Sequence, residues 1–150
     1  MLADLINNRV VIVAMLAWVI GQFLKFPVDY LLNKRWNWGI MFSAGGMPSS
    51  HSSLVTAVTL TIGLQDGFGS SVFALSAAIA MIVIYDAAGV RRQAGIHAER
   101  INEIMTHFFE SGQLPEKELK EMLGHTPFEV ITGIILGILI SLVMYWAFPT

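Results

Sequence analysis

The sequence predicts an all-α fold: an integral membrane bundle of about four short transmembrane helices with an additional amphipathic surface helix. Of the 150 residues, 55% are hydrophobic and only 13% are charged, about half the charged share of a typical soluble domain. Four apolar stretches cover residues 10–26, 52–64, 71–85 and 128–148. The last stretch has no polar face and reaches the roughly 20 residues that cross a bilayer. It argues against the alternative of a soluble helical bundle.

The four stretches differ in character, and their total length fits a single domain over residues 1–150. The first lacks a basic n-region and a small-residue cleavage site, so we expect a retained membrane anchor. The second is short and threonine-rich, which favours a helix buried among the others, and a tight turn at residues 65–69 leads to the third. In the fourth, Gly133 and Gly137 form a GxxxG pair, which indicates packing within the bundle rather than dimerisation.

A polar segment separates the third and fourth stretches. Within it, residues 96–109 have the period of an amphipathic helix. The apolar side chains on its predicted face are Ile101, Ile104, Met105, Phe108 and Phe109. We expect this helix to lie on the membrane surface or to cap the bundle.

The basic residues predict the orientation of the chain in the cell membrane. With four spans, the first and third loops share one side, and together with Lys25 at the end of the first span they contain eight of the nine basic residues. The positive-inside rule therefore places both long loops in the cytoplasm. A net charge of −2 gives no indication of a nucleic-acid partner, and the absence of cysteine excludes disulfides and thiolate metal sites.

The candidate reactive residues all fall at helix ends on this same side of the membrane. In a four-helix bundle these ends lie in one plane, so the side chains can meet in one pocket. The candidates are Lys25 at the end of the first helix; Gly45, Gly46, Ser49, Ser50 and His51 at the start of the second; Asp86, Arg91 and Arg92 at the end of the third; and His125 and Glu129 at the start of the fourth.

Such a pocket suits a phosphate ester. Helix N-termini bind anions through backbone N–H groups, and glycines allow the chain to approach the ligand closely. Arginine and lysine bind phosphate oxygens. Of two histidines, one can attack phosphorus while the other protonates the leaving alkoxide. This chemistry predicts no metal ion and no cofactor.

Several of these residues also have structural interpretations. Ser49 or Ser50 is suited to N-cap the second helix, Lys25 can extend to the membrane interface, and Asp86 can pair with a neighbouring arginine. An acidic residue so close to the bilayer is still a candidate for function.

The start of the fourth helix leaves two interpretations open. Thr126, Pro127 and Glu129 fit a capping box, with threonine as N-cap and glutamate at N3. Glu129 also lies one helical turn from His125 and could instead orient that imidazole.

Three segments resemble the divergent branch of the type 2 phosphatidic acid phosphatase superfamily, which also contains the vanadium-dependent haloperoxidases. They are GGMPSSHS at residues 45–52, YDAAGVR at residues 85–91 and LGHTP at residues 123–127. The resemblance implies that Lys25 and Arg91 bind phosphate, with Arg92 as the poorer second choice. It implies that His51 is the general acid and that His125 is the nucleophile forming a phosphohistidine, oriented by Glu129.

The chain departs from the superfamily pattern at several points. Ser50 occupies a glycine position, Glu129 stands where the superfamily has aspartate, and no Arg-Pro follows Lys25 at the expected distance. Arg91 precedes His125 by 34 residues, whereas in the superfamily the arginine precedes the histidine by six. The amphipathic segment would therefore be an insertion.

The sequence thus predicts a lipid-phosphate phosphatase that acts on phosphatidate, phosphatidylglycerophosphate or a polyprenyl phosphate from the cytoplasmic leaflet. The alternative is a non-catalytic protein that binds or transports an anionic lipid on the same scaffold, and haloperoxidase chemistry ranks lowest. A bundle of four short helices is small, so a homodimer is plausible.

Overall fold

The computed structural model describes residues 2–34, 38–42, 45–108 and 125–148. Its helices are α1 (Leu2–Ile6), α2 (Arg9–Asn33), α3 (Ser50–Asp66), α4 (Ser71–Tyr85), α5 (Arg91–Phe108) and α6 (Pro127–Ala147). A 3-10 turn, Trp38–Phe42, lies between α2 and α3, and a π-helical segment, Asp86–Val90, joins α4 to α5. The predicted all-helical fold class is confirmed.

Helix α3 is the centre of the bundle, since it packs against α2, α4 and α6. Its 17 residues span roughly 25 Å. The buried positions of α3 are mostly small residues, which let neighbouring backbones approach closely; they are Ser50, Ser52, Ser53, Ala57, Thr61, Ile62 and Gly63. The interior position predicted for the second apolar stretch is confirmed.

Within the described residues, three helical segments are long and apolar enough to cross a membrane: Arg9–Asn33, Ser71–Asn102 and Pro127–Ala147. Their outer faces expose large apolar side chains, as lipid contact requires and a soluble surface does not. The fourth predicted transmembrane helix, α3, is packed against all three of these segments.

Helices α3 and α6 run parallel in close contact through the two glycines of the GxxxG pair. A Cβ atom on Gly133 would overlap the carbonyl oxygen of Ser49. A Cβ atom on Gly137 would lie 2.5 Å from the carbonyl oxygen of Ser53. The prediction that these glycines serve packing within the bundle is confirmed.

Buried hydroxyl groups in the middle of the bundle bond to neighbouring helices. The Ser141 hydroxyl of α6 donates to the Ala57 carbonyl of α3 at 3.0 Å, and the Thr61 hydroxyl donates to Ser141 Oγ at 3.3 Å. The Ser53 hydroxyl donates to the Ala17 carbonyl of α2, also at 3.3 Å. These bonds fix the register of α3 against both neighbours.

Helix α2 extends beyond the first predicted span. It continues through Pro27 to Asn33, so Lys25 lies two turns inside the helix and not at its end. The end of an apolar stretch is not a helix stop signal, and the single N–H that Pro27 lacks removes only one internal hydrogen bond. The helix ends at Lys34, which has a left-handed φ of 54° and donates its N–H to Tyr30.

The predicted amphipathic helix is present as α5. Helix α5 continues directly from the π segment that follows α4, so one helical run extends over residues 71–108. The π segment is rich in alanine and has a single glycine and no proline, so nothing in it terminates the helix. Phe109, the last residue of the predicted amphipathic face, lies outside the described residues.

Candidate active site

The candidate site is built where the N-termini of α3 and α6 lie side by side. The Ser49 N–H at the start of α3 donates to the carbonyl oxygen of Glu129 in the first turn of α6, at 2.9 Å. Both helices therefore direct the positive ends of their dipoles, and their first-turn N–H groups, toward the same region. This is the arrangement that attracts an anion.

The first turn of α6 holds His125 in a defined orientation. Glu129 Oε2 lies 3.0 Å from His125 Nδ1 and also accepts the Thr126 N–H at 3.1 Å. The Thr126 hydroxyl accepts the Glu129 N–H, which completes a capping box with Pro127 at the first helical position. The two interpretations of Glu129 are thus both correct, because one carboxylate oxygen serves both roles.

The geometry at Nδ1 determines what the other ring nitrogen of His125 can do. A carboxylate accepts hydrogen bonds, so Nδ1 donates to it, and Nε2 carries the lone pair when the imidazole is neutral. Nε2 is fully buried and has no hydrogen-bond partner among the described residues, and the residue is only 2% exposed. The His51 ring lies with its centroid 6.4 Å from that of His125. A buried, unpartnered lone pair beside a second imidazole is unusual in a purely structural setting.

The structure separates the roles of the two serines before His51. Ser49 is the N-cap of α3, and its Oγ accepts hydrogen bonds from the N–H and the hydroxyl of Ser52. Ser50 Oγ is buried with no partner in the described part of the chain, and the residue is 1% exposed. Gly21 of α2 lies directly against Ser50, since a Cβ on this glycine would be 3.1 Å from Ser50 Cα. The capping interpretation therefore holds for Ser49, whereas the Ser50 hydroxyl has no structural role that the structure records.

Lys25 lies inside the bundle. It is 1% exposed and continues the buried stripe of α2, one turn after Gly21. Its charge is close enough to the Glu129 carboxylate for the two to attract each other. A Cβ on Gly46, which has a left-handed φ of +90°, would lie 3.7 Å from Lys25 Cδ. The interfacial interpretation of Lys25 is therefore wrong, because a side chain that reaches the membrane surface would be exposed.

The 3-10 turn folds back onto α2 beside this lysine. Trp38 stacks on Phe26 with ring centroids 4.5 Å apart, and Gln22 Nε2 donates to the Met41 carbonyl at 2.8 Å. Gln22 is a polar residue of this region that the sequence interpretation missed. The available signal was an amide side chain within an otherwise apolar stretch, one turn before a lysine.

The remaining candidates are less closely tied to this cluster. Gly45 directly precedes Gly46 in the chain, and Asp86 is half-buried at the first position of the π segment, which contacts α6. Arg91 and Arg92 begin α5, but their side chains lie outside what the structure describes. Binding roles for these four residues stay predictions.

The cluster combines a buried ammonium, a hydroxyl, two imidazoles and two helix N-termini. These groups can hold a tetrahedral anion, attack it and protonate a leaving group. No three His, Cys, Asp or Glu side chains are grouped as metal ligands within the described residues. A cavity of about 700 Å³ lies at the opposite end of the bundle, beside Arg9 and Asp66, and none of the candidate residues lines it.

Comparison with known proteins gives two matches. The family model described as "Divergent PAP2 family" matches residues 6–140. The chain is also similar to the uncharacterized membrane protein YuiD of Bacillus subtilis (strain 168), with 38% identity over 156 aligned residues. That alignment covers 97% of this chain and 99% of the relative. No solved structure matches.

Proposed function

Since the chain belongs to the divergent PAP2 family, we propose that it is a membrane lipid-phosphate phosphatase acting through a phosphohistidine on His125. The observation that carries the proposal is the contrast between the two ring nitrogens of His125. Nδ1 is bound to Glu129, while Nε2 is buried and without a partner among the described residues. The substrate is a lipid phosphate monoester such as phosphatidate, phosphatidylglycerophosphate or a polyprenyl phosphate, and the site faces the cytoplasm.

In the binding step, positively charged and donor groups surround the phosphate. Lys25 supplies a buried ammonium, and Ser50 supplies a hydroxyl with no competing partner among the described residues. The N-termini of α3 and α6 add backbone N–H groups and the positive ends of two helix dipoles. Arg91, at the start of α5, adds a forked donor to the phosphate oxygens.

In the first chemical step, the Nε2 lone pair of His125 attacks phosphorus and forms a P–N bond. The bond between phosphorus and the leaving oxygen breaks, and His51 transfers a proton to that oxygen, so the lipid alcohol leaves neutral. The Glu129 carboxylate stabilises the positive charge that develops on the His125 ring. General acid catalysis of this kind contributes roughly 10²- to 10⁴-fold to the rate.

In the second step, water attacks the phosphohistidine. The His51 imidazole, now neutral, accepts a proton from that water, the P–N bond breaks, and inorganic phosphate leaves. His125 regains its Nε2 lone pair and His51 regains its proton. Both histidines are thereby ready for another substrate molecule.

A non-catalytic protein that binds or transports a lipid phosphate is the second candidate. The specific observation in its favour is that Nε2 of His125 and Oγ of Ser50 are both closed to solvent, whereas hydrolysis requires water at phosphorus. The same lysine, serine and helix N-termini would then hold the head group without breaking a bond.

The deciding experiment measures phosphate release by the detergent-purified protein from a panel of lipid phosphates, without added metal and with or without orthovanadate. We expect vanadate-sensitive turnover that falls by at least about 10³-fold in His125→Asn, since the nucleophile is lost. His97→Asn is the matched control, because His97 is exposed on α5, and it should keep full activity. Lipid-phosphate binding without phosphate release would favour the binding protein, and full activity of His125→Asn would exclude the phosphohistidine.

A further inference from the structure

Gln22 has a hydrogen-bonding group that the fold leaves unused. The residue lies on α2, next to Gly21, which contacts Ser50, and one turn before Lys25. Its Nε2 donates to the Met41 carbonyl, and its Oε1 is buried with no partner in the described part of the chain. It therefore adds a third unpartnered polar atom to those of Ser50 and His125.

The orientation of the Gln22 amide follows from its partner. The Met41 carbonyl oxygen can only accept a hydrogen bond, so the NH₂ group must face it and the oxygen must face away. Rotating the amide would place two acceptors against each other and would break the contact to the 3-10 turn. The unused group is therefore an acceptor, and it requires a donor.

Gln22 precedes Lys25 by three residues on α2, so their Cα atoms are about 4.5 Å apart along the helix axis. Helix α2 runs toward the candidate site, so Gln22 lies on the side of Lys25 that faces the bilayer interior. A lipid phosphate held by Lys25 extends its leaving alcohol in that same direction, toward its hydrocarbon chains. An ionised phosphate oxygen can only accept hydrogen bonds, so it cannot pair with Gln22 Oε1. A free hydroxyl on the alcohol can donate one to it.

On the basis of the proposed function, we propose that Gln22 selects lipid phosphates with a free hydroxyl on the carbon next to the esterified one. The Oε1 atom accepts the hydrogen bond of that hydroxyl. The preferred class is then glycerol phosphate monoesters with an unacylated neighbouring hydroxyl, as in lysophosphatidate and phosphatidylglycerophosphate. Phosphatidate and polyprenyl phosphates lack this donor, and they leave the acceptor buried and unpaired.

The test compares lysophosphatidate with its 2-deoxy analogue, two substrates that differ by one oxygen atom. For the wild-type protein we expect kcat/KM to favour lysophosphatidate by about fivefold, the size expected of one neutral hydrogen bond. Gln22→Met, which has a similar length and no amide, should reduce this preference to about one. The lost bond to Met41 lowers activity on both substrates equally, so the ratio of the two activities is the readout. Gln65→Met is the matched control, because Gln65 is exposed at the C-terminal end of α3, far from the candidate site. This variant should keep the wild-type ratio.

The remaining outcomes overturn the inference and separate it from the proposed function. Equal turnover of the two substrates by the wild type excludes hydroxyl selection, and this result does not depend on whether Gln22→Met folds. An equal loss on both substrates in Gln22→Met means that Gln22 only positions the 3-10 turn. If the wild type hydrolyses neither substrate, binding of the two non-hydrolysable phosphonate analogues gives the test of hydroxyl selection, and the panel of lipid phosphates decides the phosphatase proposal separately. A hydroxyl preference in binding then supports the Gln22 assignment, and equal binding rejects it.

Discussion

The buried polar groups in the middle of the bundle differ from those at the candidate site. In the middle, the hydroxyls of Ser53, Thr61 and Ser141 are buried and each donates to a group on another helix. At the site, Ser50 Oγ and His125 Nε2 are equally buried and have no partner among the described residues. Both sets line the contact surfaces of α3 and α6, so burial alone does not distinguish them. The satisfied groups hold the helices together, and the groups without a described partner are those to which the proposed function assigns the phosphate.

The largest expected effect separates the two roles of Glu129. Glutamine at the same position can still accept the Thr126 N–H, so Glu129→Gln should retain the capping box. Its free energy of unfolding should stay within about 1 kcal/mol of the wild-type value. It loses the charge that stabilises the His125 imidazolium, so we expect activity to fall by about 10⁴-fold, the size of the loss when the aspartate of a Ser-His-Asp triad becomes asparagine. Phosphate release and denaturant unfolding of the same preparation measure the two effects. A loss of stability that accounts for the loss of activity would mean that Glu129 is only a cap.

A second expected effect is confined to the α3–α6 contact. Gly137→Ala places a Cβ 2.5 Å from the Ser53 carbonyl oxygen, and we expect a destabilisation of about 2 kcal/mol from overpacking. The activity of the molecules that remain folded should be unchanged, because Gly137 lies one turn further into the bundle than Gly133. Gly69→Ala is the control, since a Cβ there has no neighbour within 4 Å. Equal unfolding midpoints for the two variants would contradict the close contact.

The smallest expected effects come from Ser141→Ala and Ser50→Ala, the first mainly on stability and the second mainly on activity. Ser141→Ala removes a satisfied hydroxyl and should cost about 1 kcal/mol of stability, with little change in activity. Ser50→Ala removes an unsatisfied hydroxyl, so stability should be unchanged or slightly higher, while activity falls by about tenfold. Thermal unfolding and phosphate release give both values for each variant. A stability loss in Ser50→Ala as large as that in Ser141→Ala would show that both hydroxyls stabilise the fold, which contradicts the difference between the two regions.

The sequence was sufficient to predict the all-helical fold because its signals are strong and local. The fourth apolar stretch is long enough to span a bilayer, and Gly133 and Gly137 mark a close helix contact by their spacing alone. The capping box at Thr126 was also readable, since it depends on residues three apart. Alternation of helix direction then placed the ends of four helices at one side, which brought Lys25, His51 and His125 together.

The parts that could not be predicted depend on tertiary contacts. Composition could not show whether Lys25 faces the interface or the interior, because both positions suit a lysine near the end of an apolar stretch. The dual role of Glu129 requires the rotamer that brings one oxygen to both His125 and Thr126. The continuous helix through Asp86–Val90 was missed because the polar residues that follow it, from Arg91 onward, usually indicate a loop. Gln22 was missed because its partner, the Met41 carbonyl, belongs to the 3-10 turn.

The central claim is that His125 Nε2 is the nucleophile, and trapping the covalent intermediate tests it most directly. The purified protein would be mixed with a ³²P-labelled lipid phosphate that it hydrolyses, quenched in alkali within a single turnover, and digested for mass spectrometry. We predict an alkali-stable, acid-labile phosphate on Nε2 of His125 that is absent from His125→Asn and still present in His97→Asn. Turnover with no labelled histidine, or a label on His51 in its place, would contradict the mechanism.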